Sequence, residues 1–153
     1  MSIITKKLGQ LEILTAAGIT APHCFTTRFG GVSEGYLDSL NIGIHRGDEW
    51  ENVLKNYEIL GSTLGFDLGK VVLSHQTHTD IVRQITDADH LGLDHHQYPE
   101  CDGLITNTPG VALVVFTADC TDAENNVCTV FCGDFFTHKI GVFAAEHSVT
   151  AAE

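Results

Sequence analysis

The stretch DEWENVLKNYEILGSTLG, residues 48–65, predicts the long helix on which the fold of this chain depends. Its apolar residues recur at helical spacing, at positions 53, 54, 57, 60 and 64. Asp48 followed by Glu51 has the spacing of a capping box, which predicts that the helix begins there. Gly65 suits the left-handed conformation that ends many helices.

Short stretches rich in β-branched and aromatic residues lie on both sides of this helix and predict strands. They cover residues 11–14, 23–27, 71–74, 81–85, 103–106 and 111–117. Proline and glycine within 107–110 predict a turn, so the last two strands are expected to form a hairpin. The polar, histidine-rich segment 87–100 predicts an exposed loop. One long helix among many short strands predicts a single α+β domain over 1–153, with a mixed or antiparallel sheet.

The charge of the chain argues against anionic partners. Its 20 acidic and 8 basic residues give a net charge of -12, which repels phosphate backbones and anionic lipid headgroups. Nucleic acids and membrane surfaces are therefore not expected to bind. No stretch approaches the roughly 20 apolar residues of a membrane span, and the first residues lack the apolar core of a signal peptide. Five cysteines at irregular spacing suit thiols or metal ligands, and a cytoplasmic location is predicted.

The segment Thr26-Thr-Arg-Phe-Gly-Gly-Val-Ser33 ends a predicted strand with an arginine and two glycines. A guanidinium beside backbone N–H groups in a flexible turn is suited to binding an anion such as phosphate, or a substrate hydroxyl. The candidate residues are Arg28, Gly30 and Gly31. A tight turn that carries a surface arginine is the alternative that this motif leaves open.

The segment Ser74-His-Gln-Thr-His78 follows directly on an apolar strand. Histidines three residues apart at a strand end point in different directions, so His75 and His78 need not share one ligand sphere. One of them is a candidate metal ligand, and a packed or solvated histidine is the alternative.

The segment Thr117-Ala-Asp-Cys120 closes the most apolar strand of the chain. A cysteine at the mouth of a buried strand, with a carboxylate beside it, is suited to metal ligation or to nucleophilic attack. A buried and inert thiol is the alternative.

Together with two further motifs, these segments resemble the YfiH or laccase-domain family. The similarity runs through His23-Cys-Phe-Thr-Thr-Arg-Phe-Gly-Gly-Val-Ser-Glu-Gly35, Ser39-Leu-Asn-Ile-Gly-Ile-His45, Gln76-Thr-His78, Cys101-Asp-Gly-Leu-Ile-Thr106 and Thr117-Ala-Asp-Cys120. Several separate motifs in one order make the resemblance specific. It is strongest over 20–120, whereas 121–153 diverge from the family pattern. The resemblance implies a YfiH-like α+β fold whose C-terminal part is missing or altered.

The resemblance also implies a catalytic metal held by two histidines and a cysteine. By that resemblance, His78 and Cys120 are two of the ligands. The position of the third histidine is taken by Ala144. His147, three residues later, and His138, six residues earlier, are the candidate replacements, and His147 is the one assigned here. The implied activity is phosphorolysis of purine nucleosides, with deamination of adenosine beside it. From its residue type, Arg28 is expected to anchor the substrate and is the third residue assigned a catalytic role, beside His78 and Cys120.

Two imidazoles and a thiolate suit zinc, because they leave a tetrahedral ion one open position. Zinc lowers the pKa of bound water to about 7, which gives a nucleophile for C6 of adenine. A guanidinium and neighbouring amides suit phosphate, and polar side chains suit the ribose or support the metal ligands. The residues expected to bind in these ways are Arg28, Gly30, Gly31, Asn41, His45 and Gln76.

Copper is the alternative metal, because two histidines with a cysteine also resemble a blue-copper site. The chain would then be a copper-dependent polyphenol oxidase acting on phenols. A multicopper oxidase needs many histidines, usually in His-x-His pairs, and none of the nine histidines here forms such a pair. Zinc is therefore preferred. An inactive partial domain without a complete metal site is the non-enzymatic alternative.

Cys128 and Cys132 form a C-x3-C pair, which favours a structural zinc site with His138 as a minor hypothesis. Residues four apart lie within reach of one another on a helix. The sequence offers no evident fourth ligand for such a site.

Overall fold

The structure, a computed structural model, describes residues 2–77, 79–94 and 98–116, with the backbones of two further strands at Cys128–Cys132 and Ile140–Phe143. Helix α1 (Trp50–Leu64) forms where the apolar spacing predicts it, and Gly65 ends it in the left-handed conformation with φ 82°. The capping-box prediction is wrong, because Glu49 is the N-cap and the carboxylate of Asp48 is bound elsewhere. Within the described ranges, no helix has the length and apolar character needed to cross a membrane.

Six strands form the larger sheet, in the order β1-β2-β3-β8-β7-β4. The strands are β1 (Ile3–Leu8), β2 (Leu11–Ala16), β3 (His23–Thr26), β4 (Val71–Leu73), β7 (Ala112–Phe116) and β8 (Cys128–Cys132). Neighbours are antiparallel except β4 and β7, which are parallel. The sequence did not predict β1, because nearly all its side chains are exposed and no alternating apolar pattern marks it.

A smaller sheet joins β5 (Val82–Ile85), β6 (Gly103–Thr106) and β9 (Ile140–Phe143) in the order β5-β6-β9. β5 and β6 are parallel, whereas β6 and β9 are antiparallel. The predicted hairpin of β6 and β7 is wrong, since the two strands belong to different sheets. The turn between them carries the chain from one sheet to the other. The α+β class with mixed sheets is confirmed.

The two faces of strand β7 show how the helix and the two sheets pack against one another. Ala112 and Val114 belong to the apolar core that contains helix residues such as Leu60. Leu113 and Val115 belong to a second core, shared with β5 and β6. Alternate residues of a strand face opposite sides of its sheet. The larger sheet therefore has the helix on one face and the smaller sheet on the other, and its apolar strand β7 is buried on both faces.

The described residues of the segment 87–100, which was predicted to be an exposed loop, are only partly exposed. Tyr98 has 8% of its surface accessible and packs in the core on the helix side of the larger sheet. Its hydroxyl donates to the carbonyl of Gly92 at 3.0 Å, and burial raises its pKa to about 12. The prediction of exposure was wrong for Tyr98 because it followed the polar composition of the segment, in which a single buried aromatic residue does not stand out.

The structural zinc site at Cys128 and Cys132 is also wrong. The two residues stand at opposite ends of strand β8 rather than on a helix. Four strand steps separate their Cα atoms by roughly 13 Å. A zinc ion with Zn–S bonds of about 2.3 Å cannot join two cysteines so far apart.

Candidate metal and substrate site

Three strands that precede the motif-bearing segments in sequence end at one edge of the larger sheet. β3 leads to Arg28, β4 leads toward His78, and β7 leads toward Cys120. β3 and β7 are both antiparallel to β8, and β4 is parallel to β7, so all three run in the same direction. Their carboxyl ends therefore lie along the same edge of the sheet.

The register brings these strand ends to one level. Thr26 and Phe116, the last residues of β3 and β7, both pair with Cys128 of β8. Leu73, the last residue of β4, pairs with Val114, two residues before the end of β7. Neighbouring strands are roughly 4.8 Å apart, so two spacings place the Cα atoms of Thr26 and Phe116 roughly 10 Å apart. The described residues closest to the three motifs thus lie near one another.

Gln76 links the segment after β4 to the end of β7. Its Oε1 accepts a hydrogen bond from the backbone N–H of Phe116 at 2.7 Å. Phe116 immediately precedes the Thr-Ala-Asp-Cys motif. Gln76 therefore has a structural role between two segments that are 40 positions apart, and its contact with a substrate stays a prediction.

Arg28 is exposed, and the main chain orients its head group. Nε and Nη2 both donate to the carbonyl of Asp38, with Nε at 2.7 Å. The carbonyl of Arg28 accepts in return from the N–H groups of Ser39 and Leu40 at 2.9 and 2.8 Å. A guanidinium has five N–H donors, and those on Nη1 meet no acceptor among the described residues. The group is therefore held in place with donors left for an anion.

The amides of the two glycines already have an acceptor. The N–H groups of Gly30 and Gly31 donate to Oγ of Ser39 at 3.1 and 3.2 Å. That hydroxyl donates to the carbonyl of Arg28 at 3.0 Å. An anion at these amides would have to displace Ser39. The guanidinium is thus the better-supported half of the predicted anion site.

Four polar side chains tie the glycine-rich turn to helix α1. We name Ser33, Asn41, Asp48 and Asn56 the loop cluster. Asp48 Oδ2 accepts from Ser33 Oγ at 2.6 Å and from Asn41 Nδ2 at 2.9 Å. Asn56, which is fully buried, accepts from the N–H of Val32 at 2.8 Å. Its Nδ2 donates to Ser33 Oγ and to the carbonyl of Asn41. The loop cluster therefore holds the turn after Arg28 against helix α1.

The two predicted contacts to the sugar differ in how available they are. Asn41 donates to Asp48, and its Oδ1 accepts from the N–H of Gly43 at 3.1 Å, so the amide is used within the fold. His45 is exposed, and no described residue forms a hydrogen bond with its ring. His45 is therefore the more accessible of the two.

Asp48 makes the stability of the fold depend on acidity. Partial burial raises the pKa of its carboxyl, but hydrogen bonds from three side chains and one backbone N–H outweigh burial and hold the pKa below its ordinary 3.8. The unfolded chain therefore takes up this proton at a higher pH than the folded chain. The stabilisation is fully present above about pH 4 and is lost as pH falls through the folded-state pKa.

We expect an Asp48→Asn variant to be about 1–3 kcal/mol less stable at pH 7, because charge-assisted hydrogen bonds are lost from a partly buried cluster. Its free energy of unfolding should also fall less steeply than that of the wild type between about pH 5 and pH 2. Chemical denaturation at a series of pH values measures both effects. An unchanged slope would show that another carboxylate governs acid stability.

Two buried hydroxyls lie on either side of Gln76. Ser74 Oγ and Thr77 Oγ1 have no hydrogen-bond partner among the described residues. A buried polar group without a partner costs about 1–3 kcal/mol. Native proteins rarely keep such groups, and a functional role is one explanation when they do. This favours a functional role for the segment after β4.

The predicted metal ligands His78, Cys120 and His147 lie outside the described residues. Within the part of the chain that the structure describes, no three His, Cys, Asp or Glu side chains are grouped to hold a metal ion. The described cysteines, Cys24 and Cys101, are buried thiols, and burial raises the pKa of Cys101. Neither is therefore a ready replacement as a thiolate ligand.

Some residues of this region were not singled out in the sequence. Asn56 lies on the buried face of the helix beside Tyr57, and a polar residue in an apolar stripe is the signal that marks it. Ser39 and Asp102 lie within the motifs that resemble the family, but the sequence analysis assigned no role to either residue. Their contacts are with residues far away in the chain, which no local pattern indicates.

Comparison with known proteins matches residues 22–139, more than half of the chain, to the family described as multi-copper polyphenol oxidoreductase laccase. A protein of Mycobacterium tuberculosis named purine nucleoside phosphorylase is 40% identical over 95 residues, covering 62% of this chain and 36% of that protein. YlmD of Bacillus subtilis, which has the same enzyme name, is 37% identical over 100 residues, covering 63% and 36%. The chain thus spans well under half the length of these curated relatives.

The fold is shared as well. The crystal structure of YlmD from Geobacillus stearothermophilus superposes with a TM-score of 0.64 at 26% identity, covering 86% of this chain and 53% of that one. The sequence and fold comparisons point to the same family. This chain therefore belongs to the multi-copper polyphenol oxidoreductase laccase family, the laccase-domain or YfiH family that its motifs resemble.

Proposed function

We propose that this chain acts as a zinc-dependent purine nucleoside phosphorylase, with adenosine deaminase activity at the same site. One observation carries the proposal: the three like-directed strands that precede Arg28, His78 and Cys120 in sequence end at one edge of the sheet. The Gln76 contact to Phe116 joins two of those segments directly. The names of the relatives supply the substrate class, a purine nucleoside with phosphate.

In this proposal His78 and Cys120 hold the metal, with His147 as the third protein ligand. Two imidazoles and one thiolate match the nitrogen and sulfur ligands that zinc takes in catalytic sites. Bound zinc would supply a Lewis acid that activates water near neutral pH. That chemistry serves the deamination, in which adenosine and water give inosine and ammonia.

Arg28 is proposed to bind phosphate through the N–H groups of Nη1, with its head group oriented by the carbonyl of Asp38. A positioned guanidinium is valuable in a chain of net charge -12, because the rest of the surface repels anions. In phosphorolysis a phosphate oxygen forms a bond to C1′ of the ribose. The bond from C1′ to the purine nitrogen breaks, and its electron pair leaves with the base. The products are ribose 1-phosphate and the purine.

The test is to incubate zinc-loaded chain with inosine, with and without phosphate, and to quantify hypoxanthine and ribose 1-phosphate. Both products should form in equal amounts, only when phosphate is present, and a chelator should stop the reaction. Arg28→Ala should lower kcat/KM for phosphate roughly 10–100-fold, the effect of losing a charge-assisted hydrogen bond. Arg46→Ala, another exposed arginine, is the matched control. No release of base by zinc-loaded chain would refute the proposal.

Copper-dependent oxidation of phenols is the second candidate, and the description of the matched family favours it. Metal analysis of chain purified without added metal separates the two. Stoichiometric copper together with oxygen uptake on addition of a phenol would favour oxidation. Zinc without oxygen uptake would favour the nucleoside reaction.

A further inference from the structure

The segment that contains His78 is held by a carboxylate from another part of the chain. Asp102 Oδ2 accepts from the backbone N–H of Thr77 at 3.4 Å and from the N–H of Thr79 at 2.8 Å. The same oxygen accepts from Oγ1 of Thr79 at 2.7 Å. One atom thus fixes the residues that flank His78 on both sides, across 23 to 25 positions of sequence.

Asp102 is itself fixed by the main chain. The N–H of Cys101 donates to the carbonyl of His75 at 3.1 Å, and the N–H of His75 donates to the carbonyl of Pro99 at 3.3 Å. On the far side, the N–H of Asp102 donates to the carbonyl of Ile81 at 3.0 Å. The segment around Asp102 therefore forms backbone hydrogen bonds with His75 and Ile81, and the carboxylate binds Thr77 and Thr79 between them.

A second carboxylate makes the same bonds within a turn, and its other oxygen pairs with Arg83 at 3.5 Å. Asp89 Oδ2 accepts from the N–H of Thr86 at 2.8 Å and from its Oγ1 at 2.9 Å. These partners are only three positions apart, and they close a turn that contains no proposed ligand. Asp102 makes the same kind of contact to Thr79 but reaches from a distant motif, and it adds a bond on the other side of His78.

We propose that Asp102 is a positioning residue of the metal site, which sets the backbone around His78 so that its imidazole meets the metal in one orientation. The inference rests on the proposed function, since it needs His78 to be a ligand. Groups that orient ligands contribute to metal affinity, and their loss costs roughly 10–100-fold. It also gives a role to the Cys-Asp-Gly motif, which the proposed chemistry leaves unused.

The experiment compares zinc affinity, measured by competition with a chromophoric chelator, in wild type, Asp102→Ala, Asp102→Asn and Asp89→Ala. Asp102→Ala should bind zinc roughly 10–100-fold more weakly. Asp102→Asn should lie between it and the wild type, because an amide oxygen still accepts but carries no charge. Asp89→Ala loses the same kind of turn bonds and should keep wild-type affinity. With cobalt in place of zinc, Asp102→Ala should also alter the visible absorption, which reports ligand geometry.

Thr79 is exposed, so water can replace its lost partner and Asp102→Ala is expected to fold. Should it not fold, Thr79→Val removes the hydroxyl that donates to Asp102 at 2.7 Å and accepts from the N–H of Ile81 at 3.4 Å, and it should weaken zinc binding in the same direction. The role of Asp102 would be refuted, and the proposed function left intact, if Asp102→Ala had the zinc affinity and cobalt spectrum of the wild type. The same holds for Thr79→Val where it replaces that variant. A wild-type chain that takes up no zinc would overturn the proposed function together with this inference.

Discussion

Under the proposed function, a Cys120→Ser variant is expected to lose zinc during dialysis and, with it, the release of purine base. A serine hydroxyl stays protonated near neutral pH, so the substitution removes both a negative charge and a sulfur donor from the ion. Loss of a group that only orients a ligand already costs roughly 10–100-fold in metal affinity, and loss of a ligand should cost more than about 100-fold. Metal content after dialysis and the rate of inosine phosphorolysis are the two measurements.

The chain offers matched controls for both proposed ligands. Cys24→Ser makes the same atomic change in β3, two strand positions from β7, and should keep zinc although its buried site makes it less stable. His78→Ala should lose zinc as Cys120→Ser does. His75→Ala, at an exposed residue three positions earlier, should keep it. Stoichiometric zinc in dialysed Cys120→Ser would exclude Cys120 as a ligand.

The local sequence pattern was enough to predict the helix and most strands, because the spacing of apolar residues involves only residues close together in the sequence. Pairing was not predictable in the same way. The turn before β7 has the residues of a hairpin, yet β7 pairs with β4 and β8, and β6 pairs with β5 and β9. A strand that is apolar on both faces is stabilised most in the interior of a sheet, and its partners there are set by burial rather than by the turn.

Asp48 shows how a long-range contact overrides a local signal. Its spacing to Glu51 fits a capping box, but its carboxylate accepts from Ser33, 15 positions away, and from Asn41. These bonds hold the glycine-rich turn, which no local pattern reveals. The motifs themselves gave the positions of Arg28 and Gln76, while the contacts of both were beyond prediction. Sequence therefore named candidate residues but could not predict the contacts that hold them.

Gly30 is the clearest case of a residue assigned one role in sequence and found with another in the structure. It was expected to bind an anion through its amide, and that amide donates to Ser39. Its lack of a side chain has a separate purpose. A Cβ at this position would overlap the carbonyl oxygen of Gln10 and stand 2.8 Å from its carbonyl carbon and 2.9 Å from Cα of Leu11. All of these are backbone atoms of the first hairpin, which cannot move aside as a side chain can.

Gly30→Ala is therefore expected to destabilise the fold strongly, and Gly18→Ala is its matched control. The two glycines have nearly the same φ, +99° and +100°, but a Cβ at Gly18 would meet nothing within 4 Å. Both variants should lose about 1–3 kcal/mol from the unfavourable backbone conformation. Gly30→Ala should lose roughly another 1–3 kcal/mol or more, because backbone atoms must be displaced.

Urea denaturation of the two variants measures the difference directly, since the conformational contribution cancels between them. The displacement should also reach the function, because Arg28 lies two residues before Gly30 in the same turn, and a shifted guanidinium should bind phosphate less well. Gly18→Ala lies in the β2–β3 connection, before β3 rather than after it, and should leave phosphate binding unchanged. Equal losses of stability in the two variants would mean that Gly30 is required for its conformation alone, and that the close approach to Gln10 does not hold the Arg28 turn in place.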